Sequence, residues 1–332
     1  MNNKELFRIG LGITISIAAL AVVFHFVDPA QALLALKEVD YRYLIPLVTL
    51  SGCSIGMRAM AWRTILPKRL PFRKVFLVVN AGYFLNTILP FRMGEIGRAL
   101  LLKSSGLDFW QVLPTILVER AFDLLIAVGL FMGALPFILQ LPQGSFLVIV
   151  IGVMVFLALA VLYFCVRYQV PILSWIETRT TPWPSIQERV HKSMREILSG
   201  LDVLTDIPRF ARAFAWMALS WVLALCFQYL LLRAFLPQAE ILWAVFALGA
   251  VALGVAAPSS PGSLGVYEAS LVAALVVFNI PDSVALAYAI LSHITNLIVV
   301  LPVGAYALFR EGIAFKSLFE YRRKTYPKQR EK

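Results

Sequence analysis

Charge is scarce in this sequence: only 15% of its 332 residues are Asp, Glu, Lys or Arg, against 60% that are hydrophobic. A soluble domain carries about 25% charged and 45–50% apolar residues, so the shortage excludes most water-soluble enzyme classes. Cysteine and histidine are scarcer still, three of each. Cys53, Cys165 and Cys226 lie in apolar surroundings without C-x-x-C spacing, and His25, His191 and His293 are scattered. Neither a disulfide framework nor a metal-ligand cluster is expected from them. A phosphate-cradling P-loop is missing too, which removes ATP as an energy source. No cofactor and no nucleic-acid partner are expected, and the segments between the apolar runs are too short for a soluble catalytic domain.

What the chain has in excess is apolar runs of membrane-crossing length. Those at 9–27, 43–62, 112–139, 146–166, 213–236 and 284–309 each hold about the 20 residues that cross a hydrocarbon core. The first carries a leader-like Ala30-Gln31-Ala32, but its length and the charge pattern below make it a span. Two further regions are interrupted: 75–103 at Pro90 and Gly94, and 241–280 at Pro258, Pro261, Gly262 and Gly265. Their arms are short, so each reads as a broken helical hairpin that either crosses the membrane or re-enters. The expected fold is an all-α polytopic membrane protein with about six full spans plus two broken hairpins. One membrane domain covers residues 1–315, and 316–332 form a basic tail.

Lysine and arginine set the orientation. With the N-terminus inside, segments 63–74, 103–111, 167–212 and the tail from Arg310 become cytoplasmic and hold most of the 30 basic residues. Only Lys37, Arg42 and Arg233 fall opposite. The expected location is the cytoplasmic (inner) membrane of a prokaryote, with both termini inside. In the loop 167–212, Ser185-Ile186-Gln187-Glu188 forms a capping box. Ile186, Val190, Met194, Ile197, Leu201 and Leu204 then share a face, opposite Arg189, Lys192, Arg195 and Glu196. This amphipathic helix either lies on the inner leaflet or packs on the bundle.

The broken hairpins occupy similar settings. Glu95 follows the first break and Glu268 the second, and at the same offset Glu119, Arg120 and Asp123 fall opposite Ser292, His293 and Asn296. One span separates the two units, so they enter from opposite faces, the inverted-repeat layout of many transporters.

With the loop charges set aside, Arg58, Arg92, Arg98, Arg120, Glu95, Glu119, Asp123 and Glu268 remain at membrane depth. Each costs about 2.5–3.5 kcal/mol at the centre of a span even on the lenient insertion scale. Arg92 and Arg98 suit a phosphate, whose oxygens a guanidinium meets bidentately. Glu95 and Arg98 share a helix face. Glu268 stands alone in the second hairpin, to pair with an arginine or to carry a proton. His293 and Asn296 read as packing polars, and Arg58, Trp62 and Arg63 as interfacial anchors.

Taken together, Asn86-Thr-Ile-Leu-Pro90-Phe-Arg92-Met-Gly94-Glu95-Ile-Gly-Arg98, Glu119-Arg120-x-x-Asp123 and Pro258-Ser-Ser-Pro261-Gly262-Ser-Leu-Gly265-Val-Tyr-Glu268 resemble the lysylphosphatidylglycerol synthase transmembrane, or flippase-like, family. The resemblance runs from about residue 10 to residue 310. Its best-known members fuse this region to a soluble aminoacyl transferase domain, which this sequence does not contain, so synthase activity is not implied. Stand-alone members resemble lipid transporters. The resemblance implies Arg92, Glu95, Arg98, Glu119, Arg120, Asp123 and Glu268 as substrate-binding positions. The expected function is movement of a polar-headed lipid or lipid-linked molecule between leaflets, with anionic or otherwise polar-headed membrane lipids as partners. An intramembrane lipid-modifying transferase and a non-catalytic partner of a cell-envelope biosynthetic enzyme are the alternatives.

Overall fold

Four of the apolar runs form single long helices. The structure, a computed structural model, describes residues 27–89, 92–138, 200–256 and 260–310, with isolated helical positions at 14, 21, 150 and 153. Nearly all of the spans expected at 9–27 and 146–166 lies outside the described residues, as do the amphipathic helix up to 199, Pro90, Pro258 and the basic tail. Among the described residues the α-helices are α1 Pro29–Glu38, α2 Leu44–Ile65, α3 Phe72–Ile88, α4 Met93–Leu101, α5 Phe109–Ile138, α6 Ile207–Phe235, α7 Ile241–Gly254, α8 Val266–Val276 and α9 Asp282–Arg310. Of these, α2 (with the 3-10 turn before it), α5, α6 and α9 are long and apolar enough to cross a membrane.

Local chemistry sets the boundaries. Asp28 accepts the N–H of Ala30 and Pro29 opens α1; Asp206 accepts the N–H of Arg209 at the start of α6. A short polar side chain there satisfies a backbone donor the helix leaves open, and proline fits the first turn. Arg209 also reaches across to the carbonyls of Thr64, Ile65 and Leu66 at 2.8, 3.0 and 2.7 Å. One guanidinium thereby satisfies the end of α2, whose last carbonyls have no partner within the helix.

Helix α2 packs along α6, α5 against α7, and α3 against α9, while α8 lies between α7 and α9. Small residues permit the close approach of α9: Ala285, Ala287, Ala289, Ser292, Thr295, Gly304 and Ala307 are all buried. Such contacts drive helix association where lipid supplies no hydrophobic incentive. The first hairpin closes by the same means. A Cβ on Gly94 would collide with the carbonyl of Gly82 and with Asn86 Oδ1, and that oxygen accepts the Gly94 N–H at 2.8 Å.

Both interrupted regions are helix–break–helix units, α3–α4 and α7–α8. Their re-started helices share a local design: Arg92 before α4 has φ 51° and Gly265 before α8 has φ 84°, and each is followed at the third helical position by a glutamate, Glu95 or Glu268. The breaks also meet. Helix α3 runs against the turn Pro261–Ser263, and a Cβ on Gly262 would lie 3.6 Å from Thr87 Cγ2.

Candidate functional site: a charged cavity between the hairpins

Helix α5 supplies the acidic centre. Glu119 is fully buried and takes Arg98 Nη2 at 2.5 Å, Arg58 Nη1 at 3.4 Å and Arg120 Nη2 at 3.5 Å. One turn on, Asp123 binds Arg58 Nη1 at 2.7 Å, Arg120 Nη1 at 3.0 Å and the indole N–H of Trp221 at 3.1 Å. Two like charges four residues apart repel on a bare helix; the shared arginines Arg58 and Arg120 remove that conflict. Arg58 is therefore part of the buried cluster and not an interfacial anchor, because α2 carries it inward against α5. Trp62 departs from that expectation too: it is fully buried, its N–H donates to Thr115 Oγ1 at 3.0 Å, and its ring lies 3.9 Å beneath the guanidinium carbon of Arg98.

Glu95 and Arg98 share a helix but not a partner. Glu95 Oε1 faces Arg120 Nε at 3.2 Å and Arg92 Nη1 at 3.8 Å, whereas Arg98 turns to Glu119. Arg98 is 1% exposed, sandwiched between Trp62 and Glu119, and lines neither of the two cavities that open beside this cluster. Arg92 is placed differently. Its side chain is one-third exposed, and its Nη2 donates to the carbonyl of Val255, which closes α7 at the second break. An unwound carbonyl at membrane depth needs a donor, and the first hairpin provides it.

Two cavities open around these groups. The larger, about 490 Å³, is lined by Arg58, Tyr83, Arg92, Glu95, Arg120 and Asp123, with Trp221, Leu248 and Val255 opposite. The second, about 350 Å³, lies toward the second hairpin and is lined by Asn86, Thr87, Gly262, Tyr267, His293 and Asn296. Tyr83, Arg92, Arg120 and Val255 border both. Asp123, Trp221, His293 and Asn296 sit near the middle of helices 29 or 30 residues long. At 1.5 Å per residue such helices are about 44 Å long, and both cavities lie near their mid-length. Around the larger cavity and its buried base, four guanidiniums (Arg58, Arg92, Arg98, Arg120) face three carboxylates (Glu95, Glu119, Asp123). The surplus is one positive charge.

In the second hairpin, Glu268 meets no arginine among the described residues. Its Oε2 accepts the Gly265 N–H at 2.7 Å, and its Oε1 lies 2.6 Å from His293 Nδ1. Tyr267 stacks on the His293 ring with centroids 4.4 Å apart and shares a 2.7 Å hydrogen bond with Ser292. Reading His293 as a packing polar missed its role as the partner of Glu268. The signal was the repeat offset, since His293 stands to Glu268 as Arg120 stands to Glu95. Each basic group is 25 residues beyond its glutamate. Among the described residues, no cluster of His, Cys, Asp and Glu suits a metal ion.

Residues 9–304 match the family described as the lysylphosphatidylglycerol synthase TM region. A UPF0104 membrane protein of Methanothermobacter thermautotrophicus is 22% identical over 311 residues, 88% of this chain and 90% of its own length. A second UPF0104 membrane protein, from Methanocaldococcus jannaschii, is 27% identical over 226 residues, 67% of this chain and 92% of its own. A protein named glycosyltransferase AglD, from Haloferax volcanii, is 26% identical over 124 residues, 36% of this chain and 20% of that protein.

Proposed function

The chain belongs to the lysylphosphatidylglycerol synthase transmembrane family, and from that premise we propose that it moves an anionic, polar-headed lipid between the leaflets of a prokaryotic cytoplasmic membrane. The observation that carries this reading is the paired cavity at mid-span. It is bordered by both helix breaks, and its larger chamber with the buried base holds one more guanidinium than carboxylate, with Arg92 the most open of the four. A phosphate there would meet Arg92 and Arg120, while acyl chains stay in the surrounding lipid. Charge in a site shielded from water acts more strongly than at a surface, so one surplus cation suffices to favour a singly charged headgroup.

The repeated pattern of positive-φ cap, third-position glutamate and basic partner 25 residues on supports an inverted repeat, with two unit halves closing on one site. In this reading six full spans surround the two hairpins, both termini are cytoplasmic, and transport is downhill or ion-coupled. An envelope biosynthetic enzyme is the partner that would supply or use the lipid.

The test is reconstitution into vesicles of native lipid extract, with a leaflet-specific chemical probe. Wild type should translocate an anionic class faster than protein-free vesicles, and Arg92→Gln should lose most of that rate. Rates no higher than protein-free vesicles across all native classes would end the transport reading. A second reading, an intramembrane transferase, is favoured by the Glu268–His293 pair, since a carboxylate that orients an imidazole makes a general base. It requires that the purified protein change headgroup chemistry in the same extract, read by mass spectrometry.

A further inference from the structure

We propose that the second hairpin holds a proton-binding site, Glu268–His293, whose proton is taken up together with the anion that enters the cavity. The inference builds on the transport reading and goes further, by naming the ion that accompanies the headgroup.

The two halves of the chain place the same pair in two chemical versions. In the first, Glu95 faces Arg120, a cation at every physiological pH. In the second, Glu268 faces His293 in the equivalent place, and histidine is the side chain that changes charge near neutrality. Glu268 and His293 are 7% and 8% exposed. Their contact runs through Nδ1, and Nε2 has no hydrogen-bond partner among the described residues. His293 also borders the 350 Å³ cavity, which Arg92 and Arg120 line as well. An anion held there by the arginines would find a third donor in His293, provided the ring is protonated.

The surroundings fix the sign. Glu268 and Tyr267 on α8 contact the ring, and Tyr83 on α3, Arg92 at the head of α4 and Arg120 on α5 line the same cavity. Around them α9 contributes the neutral Ser292 and Asn296, which lead to Gln228 on α6 and Ser51 on α2, and α1 touches α9 through apolar side chains. Glu268 is the one carboxylate in contact with the ring, and Arg92 and Arg120 border the same cavity. A bound anion screens the arginines and adds attraction of its own, so binding draws a proton. By reciprocity, protonation tightens anion binding by the same factor.

The experiment is calorimetric titration of the full-length protein in detergent with dihexanoyl phosphatidylglycerol, in two buffers of different ionisation enthalpy, repeated across about pH 5 to pH 8. Wild type should take up as much as one proton per lipid bound, and its affinity should fall at least about fivefold as pH rises. His293→Gln should bind with no proton uptake and a flat pH profile. Glu268→Gln should shift the fall in affinity to lower pH, a displacement that lost packing alone would not produce. A second arm uses sulfate, which does not titrate in this range. Uptake with sulfate but not with the lipid would keep the proton site and assign it to a free anion. No proton uptake in wild type, no binding of either anion, or a His293→Gln profile matching wild type would overturn the proposal. Failure here beside successful vesicle transport would leave the transport reading standing; proton-linked binding without translocation would do the reverse.

Discussion

Arg92 occupies the left-handed region, with φ 51° and ψ 35°, where an L-residue other than glycine pays about 1–2 kcal/mol. The equivalent cap in the second hairpin is a glycine, Gly265. A strained arginine where glycine is the easier choice points to a use for its side chain. Arg92→Gly relieves that strain but removes the donor to the Val255 carbonyl, so it is expected to lower the melting temperature only slightly while abolishing translocation. A melting temperature that falls as far as for a core truncation would instead make Arg92 a structural clamp. Arg98 should behave in the opposite way. It is buried with Glu119 at 2.5 Å, and removing one partner of such a pair costs about 3–5 kcal/mol because a charge is left unpaired. Arg98→Ala should lower thermal stability and abundance steeply, and Arg98→Met with Glu119→Leu should recover most of the loss. Recovery of stability without transport would separate folding from function at this pair. The sequence showed that all these charges lie at depth. It did not show which of them pair, since Glu95 and Arg98 sit on one turn and still face different partners.

At the level of elements, the first hairpin depends on backbone contact between α3 and α4. Gly94 approaches Gly82 more closely than any Cβ allows, whereas a Cβ on Gly129 in α5 would meet nothing within 4 Å. Gly94→Ala is expected to destabilise by about 1–3 kcal/mol, the usual cost of forcing extra atoms into a packed site. Gly129→Ala should be neutral or slightly stabilising, since alanine is the better helix former. Thermal unfolding of the two variants side by side is the measurement, and equal effects would mean that α3 and α4 do not meet at Gly82 and Gly94. The breaks in both hairpins were legible from proline and glycine. Their mutual contact was not, because Thr87 and Gly262 are distant in sequence and only packing of α3 on the turn Pro261–Ser263 brings them together.

For the whole molecule, the distribution of basic residues sets a testable orientation. The turn between α6 and α7 contains Gln238, on the side with few lysines and arginines. In a cysteine-free background, a cysteine at Gln238 should react with an impermeant thiol reagent in intact cells, and one at Gln187 should react only after permeabilisation. The reverse pattern would invert the protein and with it the direction from which a headgroup enters.

Apolar length, proline–glycine interruptions and charge asymmetry are one-dimensional quantities, and they determined the helical class, the four described spans and the two hairpins directly from the sequence. Membrane solvation permits little else for runs of that length, since every backbone polar group must be satisfied within the chain. Which charges become a binding surface is a matter of distance in three dimensions. Arg58 was brought inward by α2 against α5, Arg98 was enclosed by Trp62 and Glu119, and Arg92 was left open between two cavities. His293 acquired its partner Glu268 only because α8 and α9 pack side by side. Tertiary structure decided these points because the energy of a charge in low dielectric depends on what lies within a few ångströms of it, and beyond one helical turn no neighbour at that range is fixed by position along the chain.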